Sequence, residues 1–107
     1  MESKPDHPPT IVVVSLTYKA PLEQVNMHGA AHVAWLEQCL AVGTLAASGR
    51  KVPRTGGVLI VRGDLATAKA MCRNDPYCIH GMAEYEFTEV EVAFAASGLT
   101  AILNAHP

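Results

Sequence analysis

The sequence predicts an α+β domain: a four-stranded antiparallel sheet with two helices on one face. Three observations predict it. Apolar, β-branched and aromatic runs alternate with helical stretches in the order β-α-β-β-α-β. The chain has 107 residues, enough for one small domain and too few for two. Half of it is apolar and 17% is charged, a composition that buries a core and excludes a disordered chain.

Residues 1–10, MESKPDHPPT, are polar and proline-rich and read as a flexible leader, not a secretory signal. The folded domain spans 11–94. IVVVSLTY (11–18) is the first strand. It is apolar on one face (Val12, Val14, Leu16, Tyr18) and mixed on the other (Ile11, Val13, Ser15, Thr17). Pro21 starts a helix that runs from Leu22 to about Val42, with Leu22, Val25, Gly29, Val33, Leu36 and Leu40 as its apolar stripe. Gly43 ends it, and Gly29 is expected to let it approach the sheet closely. TLAASG (44–49) and VLIVRG (58–63) form an antiparallel pair across the basic turn RKVPRTGG. Asp64 caps a second helix that reaches about Arg73, and Asn74-Asp75-Pro76 breaks it. A short turn (77–82) leads into the last strand, 83–94.

In that strand the apolar positions switch from Tyr85 and Phe87 to Val90, Val92 and Phe94. A β-bulge near 87–89 would reconcile the two halves; alternatively they face different partners. The tail, 95–107, holds one short helix. This element order is the ferredoxin-like pattern. Its open sheet face would expose apolar side chains such as Val58 and Ile60, which predicts a homodimer paired through that face.

The net charge is −2 and the pI near 6.2, which argues against a nucleic-acid partner and gives no attraction to an anionic membrane surface. No apolar run is long enough to cross a membrane. Three irregularly spaced cysteines, Cys39, Cys72 and Cys78, fit a reducing, cytoplasmic setting.

Several residues could carry chemistry. His28 and His32 lie one helical turn apart, a geometry two metal ligands share, but no third ligand is placed by spacing, so no metal is expected. His32 alone, at the rim of a helix on a sheet, could exchange a proton in a cleft. Asp75 could cap the following turn through the Tyr77 or Cys78 N–H, or orient a histidine. On spacing alone, packing and capping account better for both. Arg50, Lys51 and Arg54 form a turn that is either solvated or holds an anion with help from Gly56 and Gly57. Ser48 lacks any nucleophile-elbow context, and Trp35 and Tyr77 read first as packing residues.

Taken together, TYKAPLEQV, AHVAWLEQCLAVGTLAASG, VPRTGG, VLIVRG and NDPYCIHGMAEYEFTE resemble the YciI-like family over roughly residues 11–92. The resemblance implies a ferredoxin-like fold paired into a dimeric α+β barrel. It implies an active site of a helix histidine and an aspartate in a D-P-[FY] motif, matching His32 and Asp75. It thereby reverses the balance at these two residues in favour of an acid–base pair. Ser48, Arg54, Tyr77 and Trp35 become the substrate-binding candidates. Arg50 stands where relatives often carry proline, and His28 and His80 stand where no fixed histidine is expected. The wider group includes muconolactone isomerase and a dehydrochlorinase acting on a chlorinated hydroxyhydroquinone. That implies isomerase or lyase chemistry, without a cofactor, on a small ring-derived and often anionic molecule. The competing reading is a non-catalytic dimer that binds a small ligand.

Overall fold

The computed structural model describes residues 9–104; most of the leader and the last three residues of the tail lie outside them. Four strands, β1 (Thr10–Tyr18), β2 (Leu45–Arg50), β3 (Gly56–Arg62) and β4 (Ala83–Glu91), form one antiparallel sheet in the order β2-β3-β1-β4. Helices α1 (Leu22–Met27), α2 (Gly29–Val42), α3 (Leu65–Cys72) and α4 (Pro76–Ile79) link the strands, and α5 (Leu99–Leu103) follows them. The main helices pack on one face of the sheet, the arrangement the element order predicts.

The alternation in β1 sets the two faces. Val12, Val14 and Leu16 are buried against the helices, with Leu59 and Val61 from β3 and Leu45 from β2. Ile11 and Val13, with Val58 and Ile60 of β3 and Val90 of β4, lie on the opposite face and are only half-buried. α5 is tied to the sheet end by Arg62, whose Nε donates to the Ile102 carbonyl at 2.8 Å and whose Nη1 donates to the Gly43 carbonyl at 2.7 Å.

The structure corrects several expectations. The long helix is two helices, broken at His28, which has φ −105° and ψ 6° and serves both as the end of α1 and the start of α2. The break shifts the helical phase, so the stripe projected from Leu22 is wrong. Val25, Trp35 and Cys39 are buried, with His32 and Leu36 half-buried beside them, while Leu22, Val33 and Leu40 are exposed. Gly29 approaches Tyr77 rather than the sheet: a Cβ there would stand 3.9 Å from the Tyr77 hydroxyl, an ordinary contact.

β4 carries no bulge, since its pairing with β1 runs unbroken from Thr10↔Glu91 to Tyr18↔Ala83. Its two apolar sets face opposite sides. Ala83, Tyr85, Phe87 and Glu89 lie on the helix face, opposite Tyr18, Leu16, Val14 and Val12. Glu89 is tolerated there because its Oε2 accepts from the Leu65 N–H at 2.7 Å, at the N-terminus of α3. The irregularity of the sheet lies instead between Leu45 and Ala47 of β2. Finally, the segment after Asp75 begins with a helix, α4, and β4 stops at Glu91, short of Phe94.

Candidate active site

Asp75 is oriented by its own neighbourhood in the chain. Pro76 disfavours helical backbone at the preceding residue, and Asp75 has φ −66° and ψ 125°. Proline then begins α4, where its missing N–H is no loss. From that N-cap position the Asp75 carboxylate turns back, and Oδ1 accepts from the Tyr77 N–H at 3.0 Å. The residue has no exposed surface and is the one charged residue in the core among the described residues.

A buried carboxylate needs donors. Two more reach Asp75, from distant parts of the chain. His32 Nδ1, on α2, lies 2.7 Å from Oδ1, and the Tyr85 hydroxyl, on β4, donates to Oδ2 at 2.5 Å. The two readings of Asp75, helix cap and histidine partner, are therefore both realised in geometry. The His32 ring also stacks on Tyr77, with centroids 3.9 Å apart and planes 11° apart. Tyr77 meets Tyr18 edge-on at 5.9 Å. Imidazole position and tilt are thus fixed from two sides.

The side chain of His32 is only 13% exposed, and it forms part of the wall of a cavity of about 220 Å³ between α2 and the ends of β1, β2 and β3. Ser48, Arg54 and Tyr77 line the same cavity, so three of the four substrate-binding candidates join His32 there. Asp75 stands behind His32, off the wall. Trp35 does not line this cavity. It is buried, its ring 5.8 Å from that of His32, and it faces a separate groove of about 660 Å³ with Cys39 and Met71.

No local motif marks Tyr85. The available signal is chemical: a tyrosine in an apolar alternation seeks a partner for its hydroxyl when buried. Asn26 and Tyr18, equally unmarked by any motif, line the cavity and hold Arg54. Arg54 Nη2 donates to Asn26 Oδ1 at 2.8 Å, and its guanidinium carbon stands 5.7 Å from the Tyr18 ring centroid.

Burial, and then the Asp75 charge, shape the titrations nearby. The Cys72 thiol is pushed up to about 12 and the Cys39 thiol upward, by burial first and the carboxylate second. Tyr85 is raised strongly, by burial and by its hydrogen bond to Asp75, and Tyr77 is raised chiefly by burial. Neither buried thiol offers a thiolate nucleophile near neutral pH. A neutral imidazole whose Nδ1–H is given to a carboxylate keeps Nε2 as a free acceptor, so the arrangement suits proton transfer. His28 is drawn elsewhere: its ring stacks on His80 at 4.0 Å. Among the described residues, no group of three histidine, cysteine, aspartate or glutamate side chains is placed to hold a metal ion.

The sheet order, the helices on one face and the histidine at a sheet-end cavity define a class of small α+β domains. The YCII-related domain profile matches residues 11–91, and the chain belongs to that family. A search of curated proteins found no match. Among solved structures, the chain is similar to a 5-chloro-2-hydroxyhydroquinone dehydrochlorinase from Burkholderia phenoliruptrix AC1100, in complex with 2,5-dihydroxybenzoquinone. The two are 19% identical with a TM-score of 0.62, over 79% of this chain and 95% of that one. At that identity the likeness establishes the shared fold.

Proposed function

We propose that this protein is a small acid–base enzyme, an isomerase or a lyase of the dehydrochlorinase kind. It acts on a ring-derived, anionic molecule in the sheet-end cavity and works as a homodimer in the cytoplasm. One observation carries the reading: a fully buried carboxylate lies 2.7 Å from Nδ1 of a histidine on the cavity wall. His32 takes a proton through Nε2, and Asp75 holds the tautomer and supports the imidazolium that forms. In a dehydrochlorination the base removes a proton, the electron pair it leaves moves into the ring system, and chloride departs with its bonding pair. The proton and chloride together account for the HCl lost, so no redox partner is required. The structural neighbour supports this chemistry by its named activity, and the family by its fold.

The dimer rests on the open sheet face, where Ile11, Val13, Val58, Ile60 and Val90 form an apolar centre on a small domain. The cytoplasmic location rests on the three free cysteines, two of them buried without a disulfide partner. No helix among the described residues is long and apolar enough to cross a membrane.

The test is chloride release from 5-chloro-2-hydroxyhydroquinone and other chlorinated ring hydroxyls, with binding followed in parallel by calorimetry. Wild-type protein is expected to release chloride, and His32→Ala and Asp75→Asn to lose about 10²- to 10⁴-fold in rate while still binding. Equal rates in all three proteins would remove His32 and Asp75 from the chemistry. Binding with no turnover in any of them would identify a ligand-binding dimer instead.

A further inference from the structure

The cavity has a charge polarity that the acid–base pair leaves unused. Arg50 and Arg54 both line it, and among the described residues no aspartate or glutamate does. Lys51, the third cation of the turn, points elsewhere and donates to Thr17 Oγ1 at 3.2 Å. Arg50 is exposed, as a solvated turn residue would be. Arg54 differs. Its guanidinium is held between Asn26, which accepts from Nη2, and the face of Tyr18. Its Nε is buried and has no acceptor among the described residues. Nε is closed off from the cavity, so what the cavity meets is the rest of a fixed guanidinium, a ready partner for a planar anion.

We infer that Arg54 is the anion-recognition residue of the cavity, taking the carboxylate or ionised ring hydroxyl of a flat, single-ring ligand. The inference rests on the proposed function only in treating this cavity as the substrate site. The volume, about 220 Å³, suits one ring with small substituents and lies below the usual range for larger ligands. The stacked His32 and Tyr77 rings offer a flat wall, and the Ser48 hydroxyl a further polar contact in the same cavity. With its charged group on Arg54, such a ligand is oriented relative to His32 before any proton moves. Asn26 and Tyr18, which also line the cavity, hold Arg54 in place and act as its positioning residues.

The experiment compares benzoate with its uncharged counterpart benzamide, by NMR titration of the arginine Nε–H signals and the backbone amides. In wild-type protein, benzoate is expected to bind more tightly than benzamide and to shift the Arg54 Nε–H signal. Arg54→Gln is expected to weaken benzoate by about tenfold or more, the loss of a charge-assisted contact, and to leave benzamide unchanged, which reports an intact cavity. Arg54→Lys keeps the charge without the planar guanidinium fork and is expected to fall between the two. Equal affinities for benzoate and benzamide in wild-type protein, or benzoate binding unaltered by Arg54→Gln, would overturn the inference. Both titrations read binding alone and involve no proton transfer, so a failure of the acid–base reading leaves this result standing, and the reverse.

Discussion

At the scale of single residues, Asp75 concentrates the polar contacts of the candidate site. One buried carboxylate accepts from a histidine, a tyrosine hydroxyl and the backbone N–H of its own helix. Tyr85 is the partner whose removal tests that network without touching His32. Tyr85→Phe leaves Oδ2 without its donor and is expected to cost about 1–3 kcal/mol of stability at neutral pH in urea unfolding. It also changes the alkaline limb. Tyr85 and Cys72 both have raised values in the folded chain, so they stay protonated where the unfolded chain ionises. Their contribution is complete below about pH 9 and is lost as pH rises toward about 12. Stability is therefore expected to fall through that window in wild-type protein and to fall less steeply in Tyr85→Phe. A parallel fall in the two proteins would contradict the shared burial of this hydroxyl and carboxylate.

At the scale of elements, the turn between β2 and β3 brings Arg50 and Arg54 to the cavity, and Gly56 closes it onto β1. A Cβ on Gly56 would lie 1.8 Å from the Leu16 carbonyl oxygen, in backbone that cannot move aside. Gly56→Ala is expected to destabilise the domain by about 3 kcal/mol or more, measured by chemical unfolding. Gly49→Ala, with no atom within 4 Å of the added carbon, is the control and is expected to change stability far less. The alternation of β1, the apolar run of β3 and the Asp64 cap made these elements legible in the sequence. The break at His28 was poorly legible: no proline marks it, and Gly29, the residue after it, has no left-handed backbone to end a helix, so the helical projection ran straight through. The facing of β4 was half legible: the switch of apolar positions was visible, but not that Glu89 would lie exposed on the helix side, where its Oε2 accepts from the Leu65 N–H. Of the site, His32 and Asp75 stood out through family resemblance, since their 43-residue separation hides the contact from any local pattern. Trp35, read first as a packing residue and then as a substrate-binding candidate, is buried on the part of α2 that faces the other groove.

At the scale of the whole molecule, one sheet serves two purposes. Its helix face builds the core and the cavity, and its open face carries the half-buried apolar side chains on which the proposed homodimer rests. Ile60→Glu, placed on that open face beside Val13, is expected to convert a dimer to a monomer in sedimentation equilibrium while the far-UV spectrum is kept. A wild-type protein that sediments as a monomer would remove the dimer from the account. The fold also brings α2 and the α4 cap together, and the central claim is that the resulting hydrogen bond fixes the protonation pattern of His32. Nitrogen-15 NMR of the imidazole tests this most directly. The neutral ring is expected to carry its proton on Nδ1 in wild-type protein and to lose that preference in Asp75→Asn. A His32 ring carrying its proton on Nε2, or one whose tautomer is indifferent to Asp75→Asn, would contradict it.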